Sequence, residues 1–173
     1  ICRHLDGMAL AIELAAARVP LLGVTKLATT LNQRLRVLTG GLRTAPQRHK
    51  TLRAALEWSH ALLNPTEQAV FRRLGVFAGS FGLRMAQQVV AGETIEPPLD
   101  EWAVLDVLGA LVDRSLVMVD AGEPPRYRLL ESPRAYALEQ LAAASEEAEW
   151  RRRHAHSVLK HFNGVNVDCW GGR

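Results

Sequence analysis

Three histidines near the end of the chain, His154, His156 and His161, are the first residues whose type could do chemistry. Neutral imidazoles bind transition metals. Residues two apart on a helix point in different directions, however, and no Cys or carboxylate at ligand spacing completes a set. They are expected to be surface histidines, with no metal ligand among them. Cys2 and Cys169 stand at opposite ends of the chain and form no CxxC or metal-spaced pair, which fits two reduced thiols of a cytoplasmic protein. No Ser/His/Asp or Cys/His constellation can be placed, and Glu146-Glu147 are helix-start charges rather than a general acid–base pair. The phosphate-cradling pattern GxxxxGK[ST] is absent. No catalytic residue is expected, and this chain alone is not expected to be an enzyme.

The remaining candidates are cations. The net charge of +3 is small, but its distribution is uneven. Between Glu13 and Glu57 there is no acidic residue, while Arg18, Lys26, Arg34, Arg36, Arg43, Arg48, Lys50 and Arg53 all fall there. Such a run is either a solvated connector or a surface facing phosphates or an acidic partner. Arg43 and Arg48 are the candidates for phosphate or acidic-partner contacts. With 48% apolar residues the chain can build a real core, and no apolar run approaches the roughly 20 residues of a membrane span.

The elements that would position these residues are mostly helical. Leu10 to Arg18 (LAIELAAAR) is made of strong helix formers, and Pro20 is expected to end it. Val24 to Leu31 reads as a short helix with Leu27 and Leu31 as an i, i+4 apolar pair. Gly40-Gly41 and the polar stretch from Arg43 to His49 form a connector, with a boundary near residue 45. Thr51 to Leu63 presents Leu52, Ala55, Leu56, Ser59, Leu62 and Leu63 as a buried stripe. Asn64-Pro65-Thr66-Glu67 opens the next helix, with Asn64 as N-cap and Glu67 three residues after it. That helix carries Val70, Phe71 and Leu74 inward. AGSFG (78–82) is a turn, and a further helix runs from about Leu83 to Ala91.

Leu99 to Ala137 organises the rest as helix, two short strands and helix. Trp102, Leu105, Leu108, Gly109 and Val112 keep helical spacing, with Val104, Val107 and Leu111 beside them. That leaves a wet stripe through Ala103, Asp106, Ala110 and Asp113. Leu116 to Val119 and Arg126 to Leu130 are strands joined by the turn-rich DAGEPP. Short helices feeding directly into a hairpin give the order of a winged helix. Ser132 is expected to cap a following helix, with Pro133 at its first position, and Ser145 to cap the last one. The last helix shows an apolar stripe of Ala155, Val158, Leu159 and Phe162, which suits the start of a TPR-like repeat array.

The expected fold is therefore mainly α. A small helical lid (1–45) precedes a winged helix with a two-stranded β-hairpin (46–131), the first helices of a repeat region (132–163) and a disordered tail (164–173). Ile1 opens in mid-pattern with no initiator Met and no signal peptide, so a piece of a longer protein is expected.

Four consecutive blocks resemble one family. LDGMALAIELAAARVPLL is similar to the stretch that closes the nucleotide-binding module of STAND ATPases, the NB-ARC relatives. TLRAALEWSHALLNPTEQAVFRRLGVFAGSF resembles the start of the winged helix that follows in bacterial members. LVDRSLVMVD and RYRLLESPRAYALEQLAA resemble its wing and exit helix. The resemblance spans about residues 1 to 160 in the family's order. It implies a switch in which ATP or ADP, with Mg, sits between an upstream P-loop module and the winged helix, inside a transcriptional or signalling regulator. By resemblance Gly7, Ala9, Leu130 and Glu131 face the nucleotide. Two of these positions depart from the family pattern: Ala9 replaces a proline that packs on the base, and Leu129-Leu130-Glu131 replaces M-H-D. A leucine cannot donate the hydrogen bond that the family's histidine gives to the β-phosphate, while Glu131 retains an acid.

The resemblance implies a regulatory arm that couples the upstream nucleotide state to downstream helical repeats by domain rearrangement, with self-association left open. The first alternative is a DNA-binding winged helix of a transcription factor; the second is a protein-interaction scaffold without the switch. Charge disfavours direct DNA binding. The helix in the recognition position carries Asp100, Glu101, Asp106 and Asp113 and no basic residue, whereas base edges and phosphates demand Arg, Lys, Asn or Gln.

Overall fold

The computed structural model describes residues 1, 5, 9–30, 52–92 and 98–170, with the backbone alone for Leu10 and for 163–170. The chain divides into two compact units. The first, 1–64 with 130–136, contains α1 (Ala9–Ala16), α2 (Val19–Thr30) and α3 (Leu52–Ala61). Pro20 falls in the first turn of α2, where its missing N–H costs nothing, so it opens a helix instead of ending one. Gly23, at φ 70°, breaks α2 into two pieces with a left-handed angle that a side chain would resist. α1 packs against α2 and α3, and Ala11, Leu14, Leu27, Leu52 and Leu56 are buried. His60 meets Tyr136 edge-on at 5.6 Å, and the Arg53 guanidinium lies 5.9 Å from the same ring. Leu62, expected inward, is exposed: α3 stops at Ala61, and the chain leaves helical phase before reaching it.

The second unit is 65–129 with 137–173. It contains α4 (Pro65–Leu74), β1 (Phe81–Gly82), α5 (Leu83–Val90), α6 (Glu101–Asp113), β2 (Met118–Asp120), β3 (Arg126–Arg128) and α8 (Glu147–Trp170). α7 (Glu131–Ala143) is divided between the two units. α4 and α5 pack on α6, and α8 packs on α5. Phe71, Leu74, Val89, Val104, Leu108 and Leu111 are buried in this core. The succession α4–β1–α5–α6–β2–β3 is that of a winged helix, and the molecule is mainly helical, as its sequence predicts.

The sheet has three antiparallel strands in the order β1-β3-β2, one more than the expected hairpin. Phe81 of AGSFG lies opposite Tyr127 and Gly82 opposite Arg126. Arg126 reinforces the pairing by donating from Nε to Ser80 Oγ (3.0 Å) and from Nη2 to the Ser80 carbonyl (2.7 Å). Across the wing Arg128 pairs with Asp120 at 3.0 Å.

Two helix ends use serine in an uncommon way. Ser115 (φ 57°) follows α6, and Ser145 (φ 59°) follows α7. The N–H of Leu116 donates to Leu111 O (3.0 Å) and that of Ser115 to Val112 O (2.8 Å). Likewise the N–H of Glu146 donates to Leu141 O (3.2 Å) and that of Ser145 to Ala142 O (2.9 Å). Both are Schellman motifs with serine where glycine is usual. Ser145 therefore closes α7 instead of capping α8. Ser132 is buried inside the first turn of α7, whose ladder already begins with Arg134 N–H donating to Leu130 O at 2.9 Å. The α8 backbone stays helical to Trp170, past the boundary expected at 163.

Candidate functional site

In a winged helix the exposed face of the third helix and the wing are the surfaces offered to a partner. α6 is started by Asp100, whose carboxylate accepts from the Ala103 N–H at 2.7 Å, and it is tied to α5 by Gln87 Nε2 donating to Glu101 O at 2.8 Å. Val104, Val107, Leu108 and Leu111 fill its inner face. The outer face carries Trp102, Asp106, Gly109 and Asp113, with Leu105 half-buried at its edge. Trp102 and Gly109 thus point outward, contrary to the sequence expectation. The apolar stripe of α6 is narrower than its composition implies, and Trp102 is 76% exposed. Asp106 and Asp113 face water as expected.

Charge is uneven over this surface: α6 and the wing tip are acidic, while the wing strand β3 carries Arg126 and Arg128. From Asp100 to Pro125, through α6 and the tip of the wing, there are six acidic residues and one basic, Arg114. Arg114 is itself engaged, its Nη1 donating to Ala110 O (3.1 Å) and lying 3.7 Å from buried Glu67. The wing tip, 121–125, is exposed and bears Glu123 as its only charge.

A second constellation, unrecognised in the sequence, holds α8 to the winged helix. Arg72 of α4 grips Glu146 with two parallel bonds, Nε to Oε2 at 3.1 Å and Nη2 to Oε1 at 2.8 Å. The Trp150 indole N–H donates to the same carboxylate at 3.2 Å. Arg73, only 1% exposed, lies 3.9 Å from Glu146 and places its guanidinium 4.3 Å from the Trp150 ring centre. Arg153 sits on that ring too, at 5.0 Å, and donates to the carbonyls of Val89 (3.1 Å) and Ala91 (2.9 Å) at the end of α5. The hydrogen bonds from Arg72 hold the Glu146 carboxyl below its ordinary range, against the opposing pull of burial. Arg72 and Glu146 are 74 residues apart, so no local spacing signals the pair.

Of the residues assigned by resemblance, Ala9 is exposed at the first position of α1, Leu130 is buried, and Glu131 is exposed in the first turn of α7. Gly7, Arg43 and Arg48 lie outside the described residues. Of the histidines, His156 and His161 are exposed. His154 is half-buried with its ring edge-on to Phe77 at 4.7 Å, and burial pulls it below the ordinary imidazole value. Among the described residues no group of His, Cys, Asp or Glu is arranged to hold a metal ion, and no helix is long and apolar enough to cross a membrane.

Residues 63–142 match the family model of the winged helix-turn-helix domain. Over 155 residues the chain is 50% identical to proteins of Mycobacterium tuberculosis and Mycobacterium bovis that carry the name "Putative HTH-type transcriptional regulator", covering 89% of this chain and 17% of theirs. It is 43% identical over 167 residues to an uncharacterized protein of Mycobacterium tuberculosis, covering 95% of this chain and 41% of that one. The chain thus spans about a sixth of the length of the regulators it resembles. No solved structure matches it.

Proposed function

We propose that the chain is the winged-helix module of a larger transcriptional regulator, and that it works through protein contacts on the outer face of α6 rather than by lodging that helix in a DNA groove. The observation that carries this reading is the charge of the face itself. Binding to a duplex draws most of its affinity from cations that displace condensed counterions. Here the groove-entering surface would set Asp106, Asp113 and Glu123 against phosphates, while its arginines are engaged within the module, Arg114 with Glu67, Arg128 with Asp120 and Arg126 with Ser80. A tryptophan 76% exposed on the same face fits a protein interface, where tryptophans are enriched among the residues that dominate affinity.

A finer reading concerns what is coupled. The likeness of LDGMALAIELAAAR and of the 129–131 segment to the STAND family supports a relay between an upstream ATP- or ADP-binding P-loop module and downstream helical repeats, in the cytoplasm. Its test is nucleotide-dependent hydrogen exchange across 63–142 in the full-length regulator, absent when a P-loop lysine upstream is replaced by alanine.

Contact with DNA is the second reading, favoured by the family match and by the printed names of the relatives. Fluorescence anisotropy with a labelled duplex at about 50 and 200 mM salt separates the two. Protein-mediated function predicts no submicromolar binding at either salt, and Trp102→Ala leaving the fold intact while weakening association with the rest of the regulator. Submicromolar binding that falls steeply with salt would establish the DNA reading instead.

A further inference from the structure

Phe77 beyond α4, together with β1, α5, β3 and α8, lines an open cavity of about 400 Å³. Its floor is aromatic. Phe77 and Phe81 are buried and stacked with centroids 4.3 Å apart, and the His154 ring closes edge-on against Phe77. Met85 and Val158 form apolar walls, and Phe162, 62% exposed, stands at the rim.

Every ionisable side chain lining this cavity is basic: Arg84, Arg126, His154 and His161, with no Asp or Glu among them. Arg126 is held in place by its two bonds to Ser80. Arg84 is exposed on the first turn of α5 and makes no hydrogen bond or ion pair with any described residue. An oriented guanidinium and an uncommitted one beside a buried aromatic floor answer to one ligand chemistry. The apolar body of the ligand must cover phenylalanine rings, and its charge must be an anion; a carboxylate is the smallest that offers arginine two parallel acceptors. The volume falls within the usual range for small-molecule sites.

We propose that this cavity binds a small amphipathic carboxylate, with its aromatic or compact apolar body on Phe77 and Phe81 and its carboxylate toward Arg84 and Arg126. Such a ligand touches the wing through Arg126 and α8 through Val158 and Phe162, so its binding fixes α8 against the sheet. That gives the module an input independent of whatever α6 contacts.

The test is isothermal titration of the 173-residue chain with 2-naphthoate, using 2-naphthylmethanol as the neutral isostere. Naphthoate is expected to bind at least about tenfold more tightly than the alcohol, the worth of one charge-assisted hydrogen bond. Arg84→Glu should cut naphthoate affinity by about tenfold or more with the melting temperature unchanged, since Arg84 holds no other group. Phe162→Ala, also at an exposed position, should weaken both ligands together. Equal affinity for acid and alcohol, undetectable naphthoate binding, or wild-type affinity in Arg84→Glu would each overturn the proposal.

Discussion

Glu146→Gln tests whether the junction between α7 and α8 is held by charge. The substitution keeps shape and one acceptor oxygen but removes the negative charge on which Arg72 and Trp150 converge and to which Arg73 is drawn. It also turns an amide N–H₂ toward a guanidinium that is already a donor. Two bonds from Arg72 to a carboxylate are reduced to at most one, to an uncharged carbonyl, and Arg73, almost fully buried, loses its nearby carboxylate. Charge-assisted bonds contribute about 1.5–3 kcal/mol each when buried, and breaking a buried pair costs about 3–5 kcal/mol. The Glu146 and Arg72 side chains keep 27% and 21% of their exposure, so water screens part of this. A loss of about 2–3 kcal/mol is therefore expected, which for a chain of this size lowers Tm by roughly 5–10 °C.

The pH dependence supplies an independent check. Glu146 titrates below its ordinary value in the folded state, so the unfolded chain binds more protons in that interval. The carboxylate's stabilisation is complete above the unfolded pKa and disappears as pH falls through the lowered folded one. Urea unfolding followed by circular dichroism at neutral and acid pH should show a shallower acid dependence in Glu146→Gln than in the wild type. Glu147→Gln is the control. Glu147 pairs with Arg151 one turn along an exposed helix face and should cost under about 0.5 kcal/mol. If the two glutamines melt within about 1 °C of each other, the junction is held by apolar packing, and the charge reasoning is wrong.

Gly75→Ala should lose about 1–3 kcal/mol by thermal melting, because an added Cβ would come within 3.0 Å of Arg72 O, 3.1 Å of Ala137 Cβ and 3.2 Å of Leu138 N. A neutral or stabilising alanine would show that α7 can back away from the end of α4. His154, whose pKa is lowered by burial, should make the wild type lose stability as pH falls from the ordinary histidine value through the lowered folded one. His154→Gln should abolish that part of the pH dependence, and an unchanged slope would place the acid sensitivity elsewhere.

The winged helix was legible because its signals are local. Pro65 and Glu67 mark the start of α4 and DAGEPP marks the wing; each acts within one turn of chain. β1 was not legible. Two residues cannot display alternation, and Phe81-Gly82 is a strand only because Tyr127 and Arg126 lie opposite it. The serine helix ends were missed for a related reason. Ser145 before two glutamates reads as an N-cap, and only the carbonyls of Leu141 and Ala142 show it to be the left-handed end of the preceding helix.

The candidate surfaces divide along the same line, and the division bears on function. The acidic character of α6 is written in its own residues and is legible in the sequence, whereas the outward turn of Trp102 beside Asp106 is seen only in the structure. The basic, aromatic cavity and the Glu146 junction are built from residues tens of positions apart and exist only once α8 lies on α5. A helix fastened by one carboxylate at its base, and flanked by a cavity further along, has two places at which its hold on the winged helix can be altered. Glu146→Gln weakens the first and the naphthoate titration probes the second. If the cavity depends on the placement of α8, Glu146→Gln should also lower naphthoate affinity, although Glu146 does not line the cavity. Unchanged affinity in that variant would mean that α8 is positioned by its packing on α5 and that the two features act separately.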